Sequence, residues 1–497
     1  MNTACTADWL GRRACYTPER TALLVEPGGE RYSYADLDAR ACRTARTLQA
    51  RGVGKGDRVA ILAQNGVVHA DLLWACAKLG AIFAPLNWRL ATAELLPQVA
   101  DSAPALLLFG PEYAAPAAAA AQATGVPTLA LAAFAAAVAG ESAAPWPFAA
   151  ARADDPWLLL YTGGTTGRAK GALLTHGNVA ANAFNTVLGW SLSPDDVVPI
   201  YTPFFHTGGL NVFLTPLTVL GATSLLWTGP SFDPAAALRL VAQHRVTVLF
   251  LVPTMFQLVA EHPDFAAADL DSVRFFISGG APCPLPVMQQ FWARGKVFKQ
   301  GYGLTEAGPN NFVMPAGREQ AHPDSVGVPL LNVQTRIVDA VGSDVPWGDV
   351  GELLLAGPHV FAGYWRNPEA TAAVLQDGWL CTGDLVRRDA EGFHYIVDRK
   401  KDMFISGGEN VFPIEIETVL YAHPAVLECA VVGVPDAKWG EVGKAVVAVR
   451  QGYSVSAEEL LAFCRERLAR YKVPKGIVFL PSLPKSAAGK ILRRELR

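Results

Sequence analysis

The sequence predicts an α/β fold with largely parallel sheets, followed by a β-rich region and closed by a compact α+β unit. Three observations carry this. Apolar runs of strand length alternate with helix-like segments through most of the 497 residues, the pattern of strands linked by crossover helices. After residue 330 the texture shifts to shorter units punctuated by Gly, Pro and Asp, as in VQTRIVDAVGSDVPWGDVGELLLAGP, which reads as antiparallel strands and turns. Beyond the charged DRKKD segment at 398–402, a last stretch of roughly 95 residues has the size of a small domain.

Element by element, RVAIL at 58–62 is a strand and 68–79 the helix behind it. The stretch 114–150, AAPAAAAAQATGVPTLALAAFAAAVAG in its greater part, is alanine-dominated; it reads as helices around a short strand at 127–130 and carries no chemistry. WLLL at 157–160 is a buried strand. In the closing unit, IEIETVLYAHP is an amphipathic helix, ECAVVGVPD a strand and turn, KAVVAVRQG another strand and SAEELLAFCRERLA a capped helix. No repeat of 20 to 50 residues is visible.

Composition narrows the function classes. Hydrophobic residues make up 51% and charged residues 18%, with a net charge of −3. Such a chain has a well-buried interior and no basic excess, so charge favours small-molecule chemistry over nucleic acid or an anionic membrane. The eight cysteines are scattered, without a CxxC pair or zinc-ligand spacing, and read as free thiols in a reducing compartment. No apolar run is long enough to span a bilayer, and the N-terminus has no long apolar stretch behind its charges. A cytoplasmic protein without integral membrane association is expected. No residue pattern determines the oligomeric state, and pairing of apolar surface into a homodimer would be unsurprising.

One loop stands out chemically. YTGGTTGRAKG at 161–171 follows the buried strand, and its glycines allow backbone N–H groups to turn inward around an anion. Threonine hydroxyls and Lys170 add donors and charge, a set suited to a polyphosphate. The plain alternative is a solvated Gly/Thr turn between a strand and a helix. The Walker A pattern is absent, because Ala169 precedes Lys170 and Gly171 follows it.

Further segments follow in order: TPFFHTGGLN at 202–211, SGGAP at 278–282, QGYGLTEAG at 300–308, GWLCTGDL at 378–385, DRKKDMFISGGENVFPIEIE at 398–417 and PKSAAGKILRREL at 484–496. Together with the loop they resemble the adenylate-forming enzymes, the superfamily of acyl- and aryl-CoA synthetases, amino-acid adenylation domains and firefly luciferase. The loop resembles the signature [YF]TSGTTGxPKG, with Gly164 and Ala169 in place of its serine and proline. The resemblance spans nearly the whole chain. It implies a large N-terminal domain of doubly wound α/β subdomains plus a β-barrel-like subdomain at 1–398, a hinge at 399–402 and a small mobile α+β lid domain at 403–497.

The reaction it implies has two halves. A carboxylate attacks the α-phosphorus of ATP to give an acyl-adenylate and pyrophosphate, and a thiol then displaces AMP. Bringing two anions together requires cations and oriented donors where charge develops. By resemblance Lys490 is set between the acid's carboxylate oxygen and the α-phosphate, and Lys170 with Thr162, Gly163, Gly164, Thr165, Thr166 and Gly167 covers the β- and γ-phosphates. Glu306 is the expected Mg2+ ligand with Thr166, since a hard cation takes oxygen donors, and Thr305 lies at the α-phosphate. Tyr302, flanked by Gly301 and Gly303, offers its face to adenine, with Gly280, Ala281 and Pro282 opposite. Asp384 suits the two ribose hydroxyls and Arg399 supports it. Lys401 is the hinge residue, and Gly407 and Gly408 line a pantetheine tunnel. Read singly, several of these have ordinary meanings: a turn aspartate in TGDL, a helix-start glutamate in TEA, a lysine in a basic tail.

Phe205, His206, Gly208, Gly209, Gly303 and Asn310 form the expected acyl pocket. No Arg or Lys occurs within 205–211, 252–255, 277–280 or 301–311, which argues against a dicarboxylate whose distal charge would be buried unpaired. His206 stands where amino-acid adenylation domains usually carry an aspartate, so an amino acid is disfavoured. A monocarboxylic acid with an apolar tail remains. A medium- or long-chain fatty acid is the favoured expectation, with an aryl acid of the cinnamate or benzoate type as the alternative. Coenzyme A is the expected acceptor, ahead of a free carrier protein loaded by an acyl-AMP ligase.

Overall fold

The computed structural model describes residues 8–147, 151–162, 169–406, 408–485 and 491–497. A seven-stranded sheet runs in the order Gly363–Tyr364, Lys170–Thr175, Pro156–Thr162, Ile82–Pro85, Arg58–Leu62, Leu106–Phe109, Thr128–Ala130. Its five strands from Pro156–Thr162 onward are parallel. Their runs are apolar throughout because helices cover both faces; Trp157, Leu158, Leu159 and Leu160 are all buried. A second sheet orders Glu30–Ser33, Thr21–Glu26, Thr223–Trp227 and Val197–Ile200, and a third sets Val248–Leu251, Phe275–Ser278 and Phe298–Gln300 in parallel. The expected strand at 58–62 is present, the helix behind it is Val67–Leu79, and the alanine-rich stretch forms the helices Ala114–Thr124 and Leu131–Ala139 around Thr128–Ala130.

The described segments on either side of the Gly/Thr loop are two strands, not the strand and helix weighed above. Lys170–Thr175 returns antiparallel to Pro156–Thr162, with Thr162 opposite Lys170. The two flanking strands are therefore antiparallel neighbours, and the helix begins only at His176. The cause is visible in GALLT, whose residues are mostly buried and whose backbone pairs with Pro156–Thr162 on one edge and Gly363–Tyr364 on the other, while Thr175 provides the helix cap by accepting from the Asn178 N–H.

The β subdomain is a seven-stranded antiparallel sheet that contains Ser325–Pro329, His394–Arg399, Trp379–Arg388, Val350–Ala356 and Gln334–Val338. The closing unit has a five-stranded sheet built on the long hairpin Val426–Asp436 and Gly440–Val449. Helices Pro413–Tyr421 and Ala457–Arg465 pack on it around Phe404, Ile416, Leu420, Val431, Val447 and Leu460. The second helix opens on a reciprocal Ser456–Glu459 capping box. The unit touches the helix Pro253–Ala260 where the Gln257 side chain donates to the Leu427 carbonyl at 3.3 Å, and Arg450 pairs with Glu261 just beyond. Among the described residues no cysteine is in a disulfide, and no helix is long and apolar enough to cross a membrane.

Candidate active site

Two clusters form from the motifs. In the first, Lys170 opens the returning strand and its ammonium lies 4.9 Å from the centre of the Tyr364 ring, a cation–π contact. The Tyr364 hydroxyl donates to Glu306 Oε1 at 2.9 Å, and the Thr162 hydroxyl donates to the same oxygen at 3.3 Å. Burial and the neighbouring Glu306 raise the Tyr364 pKa, so its hydroxyl stays a donor. Glu306 lies in the short turn Thr305–Ala307, held by the Phe361 N–H bonded to its carbonyl at 2.8 Å. Glu306 Oε2 receives no hydrogen bond from the described residues. A half-buried carboxylate with one oxygen turned away from its protein donors fits Mg2+, which keeps most of its shell for water and phosphate.

The second cluster joins three distant segments. Tyr302 donates its hydroxyl to Asp384 Oδ2 at 2.5 Å, and Arg399 Nε reaches Asp384 Oδ1 at 3.1 Å. Asp384 and Arg399 are opposite one another in the antiparallel pair Trp379–Arg388 and His394–Arg399. Burial, then the Asp384 carboxylate, raises the Tyr302 pKa well above the ordinary phenol value, which keeps the phenol protonated. The Tyr302 ring packs edge-on to Phe312 at 5.7 Å. Gly280, at φ +87, with Ala281 and Pro282 forms an exposed turn after Phe275–Ser278; the Gly301 N–H donates to the Ser278 carbonyl at 2.7 Å and ties the two segments together. An added Cβ on Gly303 would lie 2.0 Å from the Pro309 carbonyl oxygen, so this loop closes on itself only with glycine there.

In the segment expected to form the acyl wall, Phe205 is buried and its ring lies 4.5 Å from that of the half-buried His206. Trp88 meets Phe205 edge-on at 6.2 Å. Gly208 and Gly209 differ. A Cβ on Gly208 would meet nothing nearer than Thr202 at 4.0 Å, whereas one on Gly209 would strike the Pro203 carbonyl oxygen at 2.4 Å. Room at this wall therefore comes from Gly208, and Gly209 serves close packing of the backbone. The helix beginning here passes through a π turn at Leu210–Leu214, the sort of bulge that re-aims side chains. The Asn310 amide is buried and donates to the Thr186 hydroxyl at 2.6 Å, which places it in the frame behind the wall.

Lys401 is exposed, its carbonyl accepting from Arg497 at 3.5 Å. Just before it, Asp398 accepts from the Ile414 N–H at 3.0 Å; burial pushes its pKa up to about 6 against the opposing Arg493 charge. Gly408 adopts φ +90. Gly163, Gly164, Thr165, Thr166, Gly167, Gly407 and Lys490 lie outside the described residues.

Two members of the site escaped the sequence. Tyr364 lies in FAGYWRNPEAT at 361–371, where only an aromatic beside a glycine marks it, and Trp88 has no motif at all.

Comparison with known proteins decides the family. The model of the AMP-binding enzymes matches residues 10–365 and that of their C-terminal domain residues 415–490. The chain belongs to the AMP-binding enzyme family. Within it the chain is an adenylate-forming enzyme of the acid–thiol ligase class, as the motifs imply. It is 44% identical over 500 residues to a feruloyl-CoA synthase of Amycolatopsis sp, covering 100% of this chain and 99% of the relative. To an indoleacetate–CoA ligase of Aromatoleum aromaticum it is 39% identical over 501 residues, covering 99% and 97%. Among solved structures, o-succinylbenzoate coenzyme A synthetase (MenE) of Bacillus subtilis, in complex with ATP and magnesium ion, superposes with a TM-score of 0.89 at 34% identity, over 98% of this chain and 99% of that one. This AMP-binding enzyme thus shares its large and small domains with these ligases.

Proposed function

We propose that this AMP-binding enzyme activates an aryl carboxylic acid of the arylpropenoate or arylacetate type with ATP and transfers the acyl group to coenzyme A. The observation that carries the nucleotide reading is the bonded set Tyr302–Asp384–Arg399, drawn from three separate motifs. Each Asp384 oxygen retains a lone pair beyond its present bond, so the carboxylate can accept from vicinal ribose hydroxyls while Tyr302 and Arg399 hold its angle. In the first half-reaction the acid's carboxylate oxygen bonds to the α-phosphorus and the bond to the pyrophosphate oxygen breaks. Lys490 neutralises the approaching anions; Lys170 and the loop at 163–167 hold the departing phosphates. Glu306, with Thr166, would hold Mg2+, which when bound offsets phosphate charge. In the second half-reaction the CoA thiolate attacks the acyl carbon and AMP leaves, with Gly407 and Gly408 beside the pantetheine arm and Lys401 as pivot.

The aryl reading replaces the fatty acid favoured from sequence alone. Its support is the names of the relatives, feruloyl-CoA synthase and indoleacetate–CoA ligase, together with the aromatic wall of Phe205 and Trp88. The test is a screen of CoA-dependent AMP and pyrophosphate release over cinnamates, benzoates, arylacetates and straight-chain acids of increasing length. Cinnamates or arylacetates should give the highest kcat/KM; a preference for decanoate or longer acids would overturn the aryl assignment, and no release with any acid would overturn the ligase reading itself.

A further inference from the structure

The turn that carries Asp384 and the segment that leads into the hinge are both held by one side chain that no motif reading assigned. Glu352 lies on Val350–Ala356 opposite Leu385, at a register shift in the pairing with Trp379–Arg388. Its carboxylate is largely buried, with 14% side-chain exposure, and each oxygen has a separate task. Oε1 accepts the Gly383 N–H at 3.1 Å, and Oε2 accepts from the Lys400 ammonium at 2.8 Å. Gly383 adopts φ +72, a conformation open mainly to glycine, and its carbonyl accepts the Lys400 N–H at 2.9 Å. The same turn is bound from its other side: the Thr382 hydroxyl donates to the Leu353 carbonyl at 2.7 Å, and the Asp384 N–H donates to that hydroxyl at 3.1 Å.

The partners of the charged segment therefore change along its length. Arg399 bonds to Asp384 and Lys400 to Glu352, both in the N-terminal part of the chain. Asp402 instead faces Arg493 at 3.4 Å, and Arg493 is paired with Glu417, both in the closing unit. Lys401, between these two sets, has no side-chain bond among the described residues. A rotation about this segment that kept both sets of contacts would have to be taken up at the bonds between Lys400 and Asp402, and it would break the hydrogen bond from the Ile414 N–H to Asp398 and the one from the Asp402 N–H to the Arg399 carbonyl.

We infer that Glu352 is a positioning residue that locks the ribose-contacting turn to the stationary side of the hinge, confining the pivot to Lys401 and its C-terminal neighbour. The inference rests on the proposed two-step reaction. It assigns Glu352 two separable effects: the bond to Gly383 sets the Asp384 angle and so ATP affinity, and the bond to Lys400 sets the pivot and so turnover. Because Lys400 is more than half exposed, that ion pair is weak and its loss is worth about two- to fivefold in rate. Loss of the acceptor for a part-buried N–H has the larger effect, about five- to tenfold in ATP affinity.

The experiment compares the full-length variants Glu352→Gln, Lys400→Met, their double variant and Glu352→Ala with the parent protein, reading kcat, the ATP KM and ATP affinity by direct titration. Glu352→Gln keeps a carbonyl acceptor for Gly383 while discharging the pair, so it and Lys400→Met should each lower kcat about two- to fivefold with the ATP KM within twofold. The double variant should be no worse than either single one, and Glu352→Ala alone should also weaken ATP binding about five- to tenfold. Multiplying losses in the double variant, or unchanged ATP affinity in Glu352→Ala, would overturn the inference. ATP titration reads the turn without turnover, so a parent protein inactive on every acid would reject the proposed reaction and, with it, the hinge role, independently of the affinity result for Gly383.

Discussion

Single atoms set the geometry around Glu306. Glu306 Oε1 takes two protein hydrogen bonds, from Thr162 and Tyr364, so the carboxylate presents a chosen oxygen rather than rotating freely. A hydrogen bond to a charged acceptor contributes about 1.5 to 3 kcal/mol, and the Tyr364 ring also faces the Lys170 ammonium. Tyr364→Phe keeps the ring and loses only the hydroxyl. It should lower the rate of acyl-adenylate formation about tenfold and raise the Mg2+ concentration needed for half-maximal pyrophosphate release; an unchanged Mg2+ requirement would detach Tyr364 from the metal carboxylate. Lys490→Ala probes the other cation. Pyrophosphate release should fall by at least 100-fold, while thioester formation from pre-made acyl-AMP and CoA should fall less than tenfold, and equal losses would refute its role in the first half-reaction.

Among the elements, the loop 301–311 is tightly constrained, because backbone meets backbone there. The Leu304 N–H donates to the Gly308 carbonyl at 3.2 Å and the Asn311 N–H to the Tyr302 carbonyl at 3.1 Å, and the missing Cβ of Gly303 leaves space for the Pro309 carbonyl. Backbone cannot yield as a flexible side-chain tip would. Gly303→Ala should therefore displace Tyr302 and Glu306 together, weakening ATP binding by more than tenfold with a melting temperature lowered by only a few degrees. Titration with ATP and a thermal melt on the same preparation check both halves of this expectation. Gly208→Ala is the contrast, since its Cβ would sit in ordinary contact distance of Thr202; it should narrow acid preference and leave ATP affinity within twofold.

Across the whole molecule, buried imidazoles govern the response to acid. His69, His176, His359 and His394 are each buried, and desolvation lowers each pKa from 6.5 to about 4. In the unfolded chain these groups bind protons near pH 6.5, in the fold only near pH 4. Their stabilisation is therefore fully present above about pH 6.5 and is lost as pH falls toward 4. Each represents about 3 kcal/mol over that window, and the four together rival the ~5–15 kcal/mol that holds a domain folded. Asp398 acts in the opposite sense: with its pKa raised to about 6, its contribution is present at low pH and lost as pH rises through 6. The histidines outnumber it. Urea midpoints measured from pH 7.5 down to 4.5 should fall steeply below pH 6.5, and a flat profile would show that the protonated imidazoles find acceptors in the fold.

Several elements and the order of the motifs were legible from sequence alone. Strand Arg58–Leu62, helix Val67–Leu79 and the Ser456-capped helix were legible because periodic burial and caps act between residues a few positions apart. The family was legible for a related reason, since each motif concentrates glycines, hydroxyls and charges within about ten residues. Tertiary structure alone decided which of these groups meet. Tyr302 bonds to Asp384 across 82 residues and Tyr364 to Glu306 across 58. Lys170–Thr175 returns antiparallel to Pro156–Thr162 and pairs on its other edge with Gly363–Tyr364 from far along the chain, and Glu352 reaches Lys400 48 residues away. Gly208 and Gly209, adjacent and identical in sequence, differ only in what the fold packs against them. Local pattern reports the period of burial along one segment; the partner of a hydrogen bond depends on how separate segments are packed together.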